Sequence, residues 1–131
     1  MHSKLTAVRG DVQLWGDPEH AGIQYRPANE VDKKLTKYVF PKGVETVKGT
    51  KDMPWAAENY TLAGKQYGVV HLNSKSNPKG TIYSAYRDYG RFGAFFEKEV
   101  KQGESLTVNY GFLIVDGELP GQNDIQKVWE A

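Results

Sequence analysis

The sequence predicts an all-β fold, an antiparallel β-sandwich completed by one short C-terminal helix. Three observations carry that prediction. Apolar residues recur mostly at every second position, the period of a strand with one buried face. The alternating runs are short and are separated by Gly, Pro, Asn and Asp, which accept turn dihedrals. Only the tail, Gln122 to Glu130, changes period: Asn123 or Asp124 can cap a helix, and Ile125, Val128 and Trp129 recur at helical spacing.

Taken in order, the alternation places strands at Leu5 to Arg9, Asp11 to Trp15, Ala21 to Pro27 and Leu35 to Phe40. Gly43 to Asn59 has weak periodicity and contains Pro54-Trp55, so it reads as a long loop of the kind that often edges a binding site. Further strands follow at Tyr67 to Asn73, Thr81 to Tyr86, Arg91 to Phe96 and Leu106 to Val115. The last has the clearest pattern. Leu106, Val108, Tyr110, Phe112 and Ile114 share one face, while Thr107, Asn109 and Gly111 lie on the other. Turn residues at Asn77-Pro78-Lys79-Gly80, Lys101-Gln102-Gly103-Glu104 and Asp116-Gly117 predict hairpins closing there.

Length and composition narrow the function classes. The 131 residues read as a single domain, 1–131, long enough to bury roughly 65–70% of the unfolded surface around one core. With 17 basic against 16 acidic residues and no block of one sign, nothing recruits nucleic acid or an anionic membrane. The absence of cysteine removes disulfides, thiolate nucleophiles and thiolate zinc sites. No apolar run approaches the ~20 residues of a membrane helix, and Met1-His2-Ser3-Lys4 lacks the apolar segment of a signal peptide. The expectation is a soluble chain, periplasmic or secreted only if a leader has been removed.

Two polar blocks stand out. Tyr83-Ser84-Ala85-Tyr86-Arg87-Asp88-Tyr89-Gly90-Arg91-Phe92-Gly93 mixes three tyrosines, two arginines, an aspartate and two glycines, and suits neither plain core nor plain surface. In the second, His20, Gly22, Gln24 and Arg26 project to one side of a strand and Ala21, Ile23 and Tyr25 to the other. Tyr67, Val69, His71 and Asn73 also share a face. If these faces converge on one concavity, His20, Gln24, Arg26, Asn73, Arg87 and Asp88 line a site. Rings that cover C–H faces and amides or arginines that bond hydroxyls suit a saccharide. Arg26 and Arg87 should then point into a common cavity.

Each residue also has a structural reading. Arg87 and Asp88 can form a structural ion pair or hold a loop, Arg26 can cap a sheet edge, and His20 can be a turn histidine. His71, within an apolar strand, reads more simply as a hydrogen-bonded core residue than as a ligand. The tyrosines serve packing, and Gly90 and Gly93 serve positive φ or close strand approach. As catalytic groups the candidates are His20, Asp88 and Tyr89. As metal ligands they are His20 and His71 with a carboxylate, joined by His2 if processing exposes its amine. No cofactor is expected beyond such an ion.

The blocks Asp17 to Pro27, Ser76-Asn77-Pro78, Ser84 to Gly93, Gly103-Glu104-Ser105-Leu106 and Asp116-Gly117 resemble the bacterial family filed under the name methane oxygenase PmoA, over nearly the whole chain. The name is no guide to activity, because the membrane-spanning subunit it evokes has no counterpart here. The resemblance implies a jelly-roll or mutarotase-like half sandwich and an association with carbohydrate use. Its carry-over positions are His20, Arg26, Arg87, Asp88 and Tyr89. Relatives are commonly longer, with this block at their C-terminal end, which predicts a homodimer in place of the missing half. Many carry His-Pro before the Asn-Pro turn and Trp-His before Arg-Asp, where this chain has Ser74-Lys75 and Ala85-Tyr86. A histidine-based mechanism does not carry over.

No serine-nucleophile elbow, zinc-protease helix, phosphate loop or dinucleotide fingerprint occurs. A carboxylate pair for glycoside hydrolysis could come from Asp17, Glu19, Glu58 or Asp88. Three functional readings follow: a sandwich that binds, or binds and processes, a saccharide, a metal-dependent oxidative or hydrolytic enzyme (copper or another ion) acting on polysaccharide, and a structural fragment of a larger sandwich.

Overall fold

The structure is a computed structural model that describes residues 1–131. It contains ten strands in three antiparallel sheets and one helix, the all-β sandwich-like fold the alternation predicts. The largest sheet has the order β1 (His2–Thr6), β10 (Ser105–Asp116), β6 (Lys65–Asn73), β5 (Trp55–Leu62), β4 (Lys37–Val39). Two smaller sheets pair β2 (Val12–Trp15) with β9 (Glu97–Val100), and β3 (Ile23–Tyr25) with β8 (Phe92–Phe95) and β7 (Ile82–Tyr83). The helix α1 spans Gln122–Glu130 and is too short to cross a membrane.

Strand β10 organises the large sheet. Its first half pairs with β1, Leu106 opposite Leu5, and its second half with β6, Phe112 opposite His71. One face of the sheet presents Ala56, Tyr60, Val69 and Tyr110 to Tyr83, Ala85, Phe92 and Ala94 of the three-stranded sheet and the residues that follow it. The opposite face presents Trp55, Ala57 and Val70 to Ile125 of α1. The helix is fixed by polar contacts as well. Trp129 Nε1 donates to the Asn73 carbonyl (2.6 Å), Gln122 Nε2 to that of Phe40 (2.7 Å), and Trp55 Nε1 to Gln126 Oε1 (3.0 Å).

Two expectations are corrected. Trp55 to Asn59, read as loop, begins the interior strand β5; only the segment from Phe40 to Pro54 is irregular, and its Val47 and Met53 plug the core. A strand covered on both faces loses the two-residue alternation, and Trp-Ala-Ala-Glu accordingly shows none. The expected hairpins at Asn77–Gly80, Lys101–Glu104 and Asp116-Gly117 are instead crossings, from β6 to β7, from β9 to β10 and from β10 to α1, each leading into a different sheet or the helix. The tight hairpin joins β5 to β6 through Ala63-Gly64, with φ of 48° and 77°. Positive φ at both central positions gives the twist that matches paired strands, although alanine rarely signals it. Strand β9 was also not foreseen, because Glu97, Lys98 and Glu99 are all exposed.

Candidate site at the junction of the two polar blocks

The two polar blocks meet through β3 and β8, where Gln24 pairs with Gly93 and Tyr25 with Phe92. Gly93 is required by that approach, since a Cβ there would collide with the Ile23 carbonyl. Ahead of β3 lies the turn 17–22. Asp17 organises it, accepting from the Glu19 amide (2.7 Å) and contacting His20 Nδ1 (2.9 Å). The His20 bond, then the Glu19 amide, hold the Asp17 carboxyl below its usual range.

Long side chains from both blocks clamp this turn. Gln24 Nε2 donates to the carbonyls of Ala21 (2.9 Å) and Glu19 (3.2 Å), and Arg87 Nη2 donates to that of Pro18 (3.2 Å). Arg91 Nη2 approaches Glu19 Oε1 at 3.5 Å. Gln24 and Arg87 therefore hold the backbone of the turn in place. The expected Arg87–Asp88 ion pair does not form: Arg87 bonds backbone carbonyls, its guanidinium lies 5.0 Å from the Tyr86 ring centroid, and Asp88 is exposed.

Beside the turn is a cavity of about 480 Å³ lined by Glu19, Arg26, Asn29, Lys33, Tyr89 and Arg91, with Ala28. The guanidinium carbons of Arg26 and Arg91 each lie over the Tyr89 ring, 5.7 Å from its centroid. Arg26 Nη2 donates to Asn29 Oδ1 at 2.9 Å. Arg91 Nε is buried and has no hydrogen-bond partner in the protein. On the other side of the same turn, Asp17 and His20 border a second cavity of about 360 Å³ with Trp15 and Phe96.

Under the cavity-forming loop sits Glu58, fully buried, with neither carboxyl oxygen hydrogen-bonded to the protein. Burial without a partner pushes its pKa up to about 8, so the carboxyl is largely protonated at neutral pH. Its Oε1 lies against Gly90, where φ is 80° and a Cβ would strike both Glu58 and Pro27. Gly90 and Pro27 each adjoin two lining residues, Tyr89 with Arg91 and Arg26 with Ala28, so the acid supports the floor from within. Tyr38 holds the same loop, donating to the Arg87 carbonyl at 2.8 Å.

The remaining candidates separate. Of the expected ligand-binding set, Arg26 lines the cavity, and Tyr89, expected as a catalytic group, lines it too, whereas Arg87 does not. Arg26 and Arg87 therefore do not line one cavity, contrary to expectation: Arg26 lines it, while Arg87 bonds the Pro18 carbonyl of the adjoining turn. Asn73 lies elsewhere, buried, accepting from Asn77 Nδ2 (2.7 Å) and donating to the Met53 carbonyl (3.4 Å). The face it shares with Val69 and His71 is core, not concavity. His71 Nε2 donates to the Ile23 carbonyl (2.9 Å), and Nδ1 lies 3.2 Å from the Tyr83 hydroxyl. Desolvation lowers its pKa to about 4. His20 is exposed at the turn, so the two histidines do not share a metal site, and no group of three His, Cys, Asp or Glu side chains is arranged around one point. Glu19 lines one cavity and Asp17 the other, while Glu58 and Asp88 line neither, so no carboxylate pair faces either space.

Sequence reasoning did not single out Asn29, Lys33 or Arg91 as site residues. Arg91 lay in the quoted block, but its register could not be read across Gly90; Asn29 and Lys33 arrive from the connection between β3 and β4.

The fold is an all-β, sandwich-like one, and its surface carries a cavity lined by three cations, one carboxylate and a tyrosine. Residues 1–130 match the profile described as a family of unknown function (DUF6807), and the chain belongs to that family. No curated protein and no solved structure matches it.

Proposed function

We propose that this chain is a carbohydrate-associated β-sandwich that binds a saccharide in the cavity around Tyr89. The observation that carries the reading is a cavity lined together by the Tyr89 ring, Arg26, Arg91, Asn29 and Glu19. A pyranose has C–H faces that an aromatic ring covers and rim hydroxyls that need donors and acceptors together. Arginine and the asparagine amide supply donors, and Glu19 accepts. The volume lies within the range of small-molecule sites. The turn is clamped by Gln24, Arg87 and Arg91, which reduces the ordering cost of binding. The resemblance of the Ser84–Gly93 block to a carbohydrate-associated family supports the same reading.

A glycan array screened with the intact chain, followed by amide-shift mapping of any hit, is the test. The expected result is saccharide binding with shifts centred on Arg26, Tyr89 and Arg91. Binding centred elsewhere, or no glycan retained, would overturn the assignment.

A further inference from the structure

We infer that the saccharide taken by this cavity is acidic, its ring carrying an oxyanion that Arg26 and Arg91 hold. The inference rests on the saccharide reading and adds the charge class. Three cations, Arg26, Lys33 and Arg91, face the space with a single carboxylate, Glu19. Arg26 and Lys33 have no carboxylate within ion-pair distance, and the Arg91–Glu19 contact is long at 3.5 Å.

Arg91 strengthens the argument. Its side chain is only 18% exposed, yet its buried Nε donor is unsatisfied. Arginine side chains present a fork that matches the two oxygens of a carboxylate or sulfate ester. Two such forks line the same cavity, each 5.7 Å from the Tyr89 ring centroid, so an anion carried on a sugar there has two guanidinium groups within one small space.

Glu19 separates this ligand class from a bare inorganic anion. A carboxylate on the rim repels phosphate or sulfate but accepts hydrogen bonds from sugar hydroxyls. An anion and several hydroxyls on one molecule satisfy both charges of the cavity. A uronate and a sulfated sugar share that chemistry.

The test is calorimetric titration of the intact chain with matched oligosaccharides: a uronate series, the corresponding neutral sugars, a sulfated series, and sodium phosphate alone. The acidic oligosaccharides are expected to bind at least tenfold more tightly than their neutral counterparts, with affinity falling as salt rises. Arg26→Gln, at an exposed position, should remove that preference without unfolding the protein, as far-ultraviolet circular dichroism checks. Which acidic series binds better identifies carboxylate or sulfate as the anion. Equal affinity for neutral and acidic sugars overturns the charge inference and leaves the saccharide reading intact. Phosphate binding as strongly as any sugar overturns the saccharide reading and leaves the anion grip. Binding of none of the four overturns both.

Discussion

Glu58 and His71 are ionisable groups held neutral in one core, and their opposite signs shape the pH dependence of stability. For Glu58 the pKa rises from 4.5 to about 8, so the folded state retains a proton that the unfolded chain loses; stability falls as pH rises through that window. For His71 the pKa falls from 6.5 to about 4, so the unfolded chain takes up a proton that the folded state refuses; stability falls as pH drops from 6.5 toward 4. Each slope is at most about 1.4 kcal/mol per pH unit. Between 4.5 and 6.5 the two oppose each other. Urea melts across pH should therefore show a plateau there, a decline toward pH 8 from Glu58 and a decline below 4.5 from His71. In Glu58→Gln the decline above pH 6.5 should vanish; if it persists, the buried carboxyl is not its source.

At the same scale, Arg87 is a clamp and not half of an ion pair. Truncating a paired arginine would leave an uncompensated carboxylate, costing about 3–5 kcal/mol if buried. Asp88 is exposed, so Arg87→Ala loses the bonds to the Pro18 and Ser84 carbonyls and the contact with the Tyr86 ring but leaves no buried charge, expected to cost about 1–2 kcal/mol. Chemical denaturation measures this. A loss above about 3 kcal/mol would reveal a burial cost that the exposed aspartate does not supply.

Among the elements, α1 covers one face of the large sheet through Ile125, which is 1% exposed and packs with Trp55, Ala57 and Val70. Ile125→Ala should cost about 2–5 kcal/mol, the cavity cost of a buried aliphatic side chain. The cavity around Tyr89 lies within the other half of the structure, built by β3, β8 and their loops. Ligand affinity measured on the folded fraction should be unchanged in this variant. A parallel loss of affinity would mean that the helix supports the site through the sheet.

The assembly follows from what the whole molecule leaves uncovered. All five residues of the edge strand β1 are exposed, and Trp15 and Val8 are 77% and 71% exposed. An unpaired edge, and exposed apolar side chains on other parts of the surface, predict association, most simply a two-fold dimer formed by strand addition or face packing. Light scattering over a dilution series should give twice the chain mass, falling to one at low concentration. Chain mass at every concentration would show that the exposed edge is protected without a partner.

The sequence by itself determined the β class, the strand character of Leu106 to Val115, the C-terminal helix and the likeness of two polar blocks, because each is written in local period and turn chemistry. It also marked Arg26 and Tyr89, whose residue types are unusual for their local setting. Only the tertiary structure decided that the Trp55 segment is an interior strand, since a strand buried on both faces carries no alternation. Packing also separated Asn73 from Arg26 and set Arg87 against the turn rather than in the cavity. A period of two says which residues share a face, but burial depends on what another sheet lays against that face. Glu58 and Arg91 were hidden for the same reason: a charged residue's environment comes from segments distant in the chain, here the loop ending at Gly90 and the turn carrying Glu19.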